Sequence, residues 1–218
     1  MILDTDKMIA NKDAGIGWMT FNNPAKRNAT SLEMWKAVAV ILSEFEEDDE
    51  IRVVVMKGAG DKAFVSGADI SEFQKERKNA NAELSYSKSA ETARYLLANM
   101  RKPLIAMIRG YCLGGGLALA MNADIRIASE NSQFGIPAAK LGIAPGFEAL
   151  KMLVDLVGPA FAKEIMLTGR RFNSEEALRI GLVNKVLPAS ILEPTVRDIA
   201  EEICSNAPLT VESSKFTI

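Results

Sequence analysis

Across 218 residues the chain contains no histidine. That absence removes Ser-His-Asp and Cys-His hydrolases, H-E-x-x-H metalloproteases and imidazole acid–base chemistry together. Cysteine is nearly as scarce. Cys112 and Cys204 are the only two, and neither belongs to a C-x-x-C pair, which argues against a disulfide framework or a metal site. No apolar run approaches the ~18 residues of a membrane span, and no basic-then-apolar leader opens the chain, so it reads as cytoplasmic with no membrane partner. Neither charge sign dominates: 26 Lys and Arg face 28 Asp and Glu, for a net charge of -2. The basic residues are scattered, so no nucleic-acid footprint stands out. A composition of 48% hydrophobic and 25% charged residues is globular, and the length suits one domain with room for a helical appendage.

What is present centres on one stretch. Leu104 to Ile108 reads as a buried strand, Gly114-Gly115-Gly116 as a turn, and Leu117 to Ala120 as a short apolar helix. Three glycines let the backbone approach a ligand closely, and a helix beginning after them leaves its first N–H groups without partners. The spacing is neither a dinucleotide fingerprint nor a P-loop, so oxyanion stabilisation fits better than phosphate cradling. Tight packing of a helix on a sheet explains the same glycines equally well.

Periodicity organises the rest. A hairpin is expected over residues 8–21, with Met8 to Asn11 and Ile16 to Phe21 flanking a turn at Lys12-Asp13-Ala14-Gly15. Thr30-Ser31-Leu32-Glu33 has capping-box spacing, and Met34, Val38, Ile41, Leu42 and Phe45 follow at helical intervals until an acidic run over residues 44–50. Ile51 to Met56 is a strand covered on both faces, and Ala63 to Ser66 is a shorter one leading into a polar region through Asn81. A long helix is expected over Ala82 to Met100. Strands follow at Asp124 to Ala128 and Gln133 to Pro137. After Phe147 the pattern turns helical, over Phe147 to Val157, Pro159 to Thr168, Ser174 to Ile180 and Ile191 to Asn206, with one strand at Leu182 to Val186. The alternation predicts an α/β fold. The turns at Gly67-Ala68-Asp69 and Gly114-Gly115-Gly116, if borne by adjacent parallel strands, lie side by side.

Ala63-Phe64-Val65-Ser66-Gly67-Ala68-Asp69-Ile70, Gly110-Tyr111-Cys112-Leu113-Gly114-Gly115-Gly116, Gln133-Phe134-Gly135-Ile136-Pro137 and Leu141-Gly142-Ile143-Ala144-Pro145-Gly146 together resemble the crotonase (enoyl-CoA hydratase/isomerase) superfamily. Leu167 to Arg170 and Ala177 to Val183 extend the likeness. The resemblance implies a ββα spiral core over residues 1–146, a mainly helical and incomplete oligomerisation region over 147–218, and assembly as a homotrimer or hexamer. It implies an acyl-CoA thioester substrate, with coenzyme A entering as part of that substrate and no bound cofactor. By the same resemblance the N–H groups of Ala68 and Gly115 form an oxyanion hole, and Gly114 is a substrate-binding residue beside them. Lys26, Arg27 and Ala29 lie along the coenzyme A nucleotide, and Ser66, Asp69 and Ile70 wall the adenine and pantetheine. A solvated loop is the other reading of Lys26 and Arg27.

Two positions depart from the pattern. Where hydratases of that family carry a glutamate pair, this chain has Ala118 and Ala138. Alanine can neither activate water nor protonate carbon. Glu148, after Pro145-Gly146-Phe147, is the candidate replacement acid or base if burial raises its pKa; otherwise it is a solvent-facing residue favoured by a helix N-terminus. Isomerisation, decarboxylation and thioester hydrolysis remain open, as does an acyl-CoA-binding member without turnover.

Overall fold

Local chemistry sets the first hairpin. The computed structural model describes residues 3–69 and 80–218. Strands β1 (Met8–Asp13) and β2 (Ile16–Phe21) pair antiparallel, from Met8 opposite Phe21 to Asp13 opposite Ile16. The expected four-residue turn narrows to Ala14 and Gly15, both left-handed at φ 50° and 83°. A two-residue loop with φ positive at both positions matches the strand twist, so Lys12 and Asp13 stay in the ladder.

Helix α1 (Leu32–Glu47) buries the anticipated stripe of Met34, Val38, Ile41, Leu42 and Phe45. Its cap is Ser31, whose side chain accepts from the Met34 N–H at 3.3 Å. The capping box centred on Thr30 does not form. Thr30 is drawn into a bridge with Ala68, and Glu33 pairs with Lys7 instead. The acidic end of α1 adds to the negative end of its dipole, and nearby cations offset both. Lys102 Nζ donates to the Phe45 and Asp48 carbonyls at 2.5 and 2.6 Å, while Arg101 pairs with Glu46 at 2.6 Å.

The chain then repeats one pattern: a strand in a first sheet, a short strand in a second, then a helix. Strands β3 (Val53–Gly58) and β4 (Ala63–Val65) precede α2 (Ala80–Ala98); β5 (Leu104–Ile108) and β6 (Tyr111–Leu113) precede α3 (Gly115–Met121); β7 (Ile125–Ser129) and β8 (Gln133–Gly135) precede α4 (Ala138–Leu141). This is the ββα spiral that the motifs implied. Two details differ. The stretch read as strand, glycine turn and helix contains a second strand, β6, and the helix starts inside the glycine triplet.

Helix α5 (Phe147–Thr168) is interrupted at Gly158, φ 75° and ψ 163°, so two helices follow one another as the sequence indicated. Pro159 supplies the reason, since it lacks an N–H and crowds the preceding turn. Beyond it come β9 (Phe172–Asn173), α6 (Ser174–Arg179), β10 (Lys185–Leu187), α7 (Leu192–Ser205) and α8 (Pro208–Thr217). The strand expected at Leu182 to Val186 is displaced because the Leu182 and Val183 N–H groups both donate to the Ala177 carbonyl at the end of α6.

Among the described residues the larger sheet runs β1-β2-β3-β5-β7-β10 and the smaller β4-β6-β8-β9. Both therefore take a strand from beyond residue 146. Val53 and Val55 of β3 face Leu192, Val196 and Ala200 of α7, whereas Val54 and Met56 face the cluster containing Phe21, Phe45 and Phe64. Cover on both faces is why β3 has no polar alternation. Full burial of each Leu or Val contributes roughly 1.5–3 kcal/mol, which fixes α7 on the sheet. Asp124 is structural, accepting from the Leu104 N–H at 2.7 Å and pairing with Lys215 at 2.8 Å. No helix among the described residues is long and apolar enough to cross a membrane.

Arg170 ties α5 to α6 by pairing with Glu164 at 2.6 Å and with Glu176. The hydrogen bond from Arg170 holds the Glu176 carboxyl below its ordinary value of 4.5. A lowered carboxylate pKa stabilises the fold above that value, and the contribution fades as pH falls through the folded pKa. Glu176→Gln is expected to lower stability by about 0.5–1 kcal/mol at pH 7 and to matter progressively less as pH falls below 4.5 and through the folded pKa, as read from urea unfolding across that range.

Candidate active site

The parallel pairing of β4 with β6 brings their following turns together. Ala63 lies opposite Tyr111 and Val65 opposite Cys112, with a register shift between them. A Cβ on Gly67 would sit 3.4 Å from the Leu113 carbonyl oxygen and 4.0 Å from the Gly115 nitrogen. The first turn is held from its other side. The Thr30 N–H donates to the Gly67 carbonyl at 2.8 Å, and the Asp69 N–H donates to the Thr30 carbonyl at 3.0 Å. In a parallel bridge these two bonds flank the central residue and turn its own N–H to the opposite edge. The Ala68 N–H therefore points away from Thr30, toward the Gly115 side.

Gly115 opens helix α3, so its N–H has no intrahelical acceptor. Among the described residues neither the Ala68 nor the Gly115 N–H donates to a backbone carbonyl. The two amides are neighbours, because a Cβ on Gly115 would lie 4.0 Å from the Ala68 nitrogen. Gly115 is also exposed, which leaves this point open to a ligand.

The three glycines have separate tasks. Gly114 adopts φ 52° and ψ -119°, a combination unavailable to residues with a side chain, while its N–H is anchored on the Gly135 carbonyl at 2.8 Å. Gly115 leaves space in front of the amides. Gly116 serves packing, since a Cβ there would run into the Val65 carbonyl. The packing explanation of the triplet thus applies at Gly116, while the space at Gly115 is left open.

The loop before α1 lies along the outer edge of β4. Arg27 and Asn28 are consecutive left-handed residues, at φ 54° and 56°. Such conformations cost of order 1–3 kcal/mol each and persist where surrounding bonds over-determine them. Here the Asn28 side chain donates to the Ala59 and Ala63 carbonyls at 3.0 and 2.8 Å and accepts from the Asn23 N–H at 2.9 Å. Ser66 joins the loop to the strand, its N–H donating to the Arg27 carbonyl at 3.2 Å and its hydroxyl to the Lys26 carbonyl at 3.4 Å. Ala29 is buried beneath, and Lys26 pairs with the buried Asp69 at 2.6 Å. Lys26, Arg27, Ala29, Ser66, Ala68, Asp69, Gly114 and Gly115 are therefore assembled along one strip. Ile70 lies outside the described residues.

Ala118 is half-buried on α3, and Ala138 is buried at the start of α4. Pro137 packs against the glycine turn, its Cδ 4.0 Å from where a Cβ on Gly114 would be. Glu148 is exposed in the first turn of α5, next to a Phe147 that is 74% exposed, so it takes the solvent-facing position at a helix N-terminus and not the buried one. Cys112 is fully buried behind the turn, and desolvation pushes its thiol up and keeps it unreactive. No group of three or more Cys, Asp or Glu among the described residues is placed to hold a metal ion. Cavities of about 490 Å³ along α8 and 440 Å³ beside Lys57, Asp61, Arg109 and Glu193 include neither turn.

Sequence reasoning missed Thr30 and Asn28. Thr30 has the spacing of a helix cap and Asn28 lies in a polar loop, so neither carries a local signal for its long-range bonds.

Residues 11–217 match the enoyl-CoA hydratase/isomerase family. The chain is 40% identical over 216 residues to a short-chain-enoyl-CoA hydratase of Clostridium acetobutylicum, covering 99% of this chain and 82% of that protein. It is 35% identical over 197 residues to a carnitinyl-CoA dehydratase of Salmonella enteritidis, covering 90% and 74%. A crystal structure of an enoyl-CoA hydratase/carnithine racemase from Magnetospirillum magneticum superposes with a TM-score of 0.93 at 34% identity, over 98% of this chain and 80% of that one.

The division of labour among the glycines is testable by stability alone. Gly116→Ala is expected to cost at least about 2 kcal/mol through overpacking, whereas Gly115→Ala should stay within about 1 kcal/mol of the parent in thermal and urea unfolding.

Proposed function

The chain belongs to the enoyl-CoA hydratase/isomerase family, and on that premise we propose that it binds an acyl-CoA thioester and stabilises its enolate between the Ala68 and Gly115 N–H groups, without a glutamate pair. The observation that supports this reading is that two neighbouring backbone amides, neither donating to a backbone carbonyl among the described residues, lie beside the exposed Gly115. Negative charge developing on the thioester oxygen is met by donors already in place, and one such donor is typically worth 10²–10³ in rate. Lys26, Arg27 and Ala29 hold the nucleotide of the coenzyme, while Ser66 and Asp69 fix that loop against the strand.

Proton handling selects among reactions. Hydration needs one group to activate water and another to protonate the α-carbon, and Ala118 and Ala138 supply neither. Isomerisation through Glu148 requires a carboxylate beside the α- and γ-carbons, whereas Glu148 is exposed. Decarboxylation needs no base. The bond from the α-carbon to a carboxylate breaks, its electron pair forms the enolate held by the two amides, CO₂ departs, and the α-carbon takes a proton from water. This is the reaction best matched to the residues present. The exposure of Glu148 also favours a second reading, in which the chain binds acyl-CoA without turning it over. Leu141, Ile143, Phe147 and Leu167 are exposed apolar side chains that the proposed trimeric or hexameric assembly would cover.

Activity assays separate these readings. The parent protein is expected not to hydrate crotonyl-CoA, to release CO₂ from a carboxylated short-chain acyl-CoA, and to gain at least about 10²-fold in hydration when Ala118→Glu and Ala138→Glu are combined. Rapid hydration by the parent that survives Glu148→Ala would contradict the proposal. Tight coenzyme A thioester binding with no turnover of any substrate would establish the second reading.

A further inference from the structure

Arg27 belongs to a cluster whose other two members, Tyr111 and Arg171, are used by none of the steps above. Tyr111, the first residue of β6, is flanked by two guanidiniums: Arg27 Cζ lies 5.2 Å and Arg171 Cζ 5.4 Å from its ring centre. The two arginines come from opposite directions. Arg27 stands on the loop along β4, and Arg171 immediately precedes β9, on the far side of β8. Register puts Tyr111 beside Gln133, and Gln133 beside Asn173, so Arg171 and Tyr111 share the face of the smaller sheet opposite the buried Cys112, Phe134 and Phe172.

The neighbouring Arg170 is fully engaged by Glu164 and Glu176. Neither Arg27 nor Arg171 has a carboxylate in ion-pair reach among the described residues. Two like charges therefore meet on one phenol ring, no more than about 11 Å apart, with nothing shown to neutralise them. Arg27 is moreover held there by a strained left-handed backbone locked through Asn28. A dianion relieves the repulsion, and phosphate oxygens match the planar donor fork of each guanidinium.

We infer that Arg27, Tyr111 and Arg171 form a phosphate-binding site, and that Arg171 is a further binding residue for the phosphates of coenzyme A. The inference rests on the acyl-CoA reading for the identity of the ligand, not for the site itself. It assigns a role to the β9 edge, which takes no part in the oxyanion site.

Calorimetric titration of the whole chain with coenzyme A, phosphate-free pantetheine, adenosine 3′,5′-bisphosphate and inorganic phosphate tests it. Arg171→Gln is expected to weaken coenzyme A about tenfold, and so to shrink the parent's preference for coenzyme A over pantetheine, with a shallower dependence on salt. Arg171→Lys should recover part of the loss, and it carries the test if the Gln variant melts well below the parent. Competition by inorganic phosphate as strong as that by the bisphosphate would keep the site and identify free phosphate as its ligand. A folded Arg171→Gln protein with coenzyme A affinity within twofold of the parent would overturn the inference while leaving the acyl-CoA reading intact. If the parent binds no coenzyme A, that reading fails, and bisphosphate binding alone decides the site: retained and sensitive to Arg171 it stands, absent it falls.

Discussion

Parallel pairing of β4 with β6 is the constraint on which the site depends. Two short strands leaving their sheet side by side must end in adjacent turns, and those turns carry the Ala68 and Gly115 amides. Everything around them maintains that placement. The Thr30 bridge holds the first turn from outside, the bond from Gly114 to the Gly135 carbonyl holds the second, and Gly116 lets α3 press on Val65. The donors belong to the backbone, so they remain whatever side chains occupy positions 118 and 138.

Much of this was legible in the residues, and the part that was not has physical reasons. Apolar period and glycine placement located the strands, the break at Gly158-Pro159 and the two turns. The extra strand β6 escaped because three residues carry too little periodicity to separate a strand from a turn. The cap of α1 was misplaced by one residue because Thr30 and Ser31 both suit the position, and a long-range bridge to Ala68, invisible to local pattern, claimed the first. The exposure of Glu148 likewise depends on how α5 leaves the spiral, which composition does not encode.

Charge shows the same contrast between local and assembled information. Scattered basic residues gave no patch in the sequence, yet folding sorts them into roles. Lys102 covers the acidic end of α1, Lys26 meets buried Asp69, and Arg170 clasps two glutamates. Arg27 and Arg171 are left on Tyr111. Exposed pairs of this kind contribute little to stability, generally below about 1 kcal/mol each, so their placement has more to say about ligands than about the fold.

The central claim is that the Ala68 and Gly115 N–H groups polarise a thioester carbonyl without help from a carboxylate pair. Isotope-edited infrared spectroscopy of a ¹³C=O-labelled acyl-CoA bound to the protein measures that polarisation directly. A carbonyl stretch displaced to lower frequency on binding, retained at pH values on both sides of carboxylate titration, is the predicted result. A bound carbonyl at its solution frequency would contradict the account.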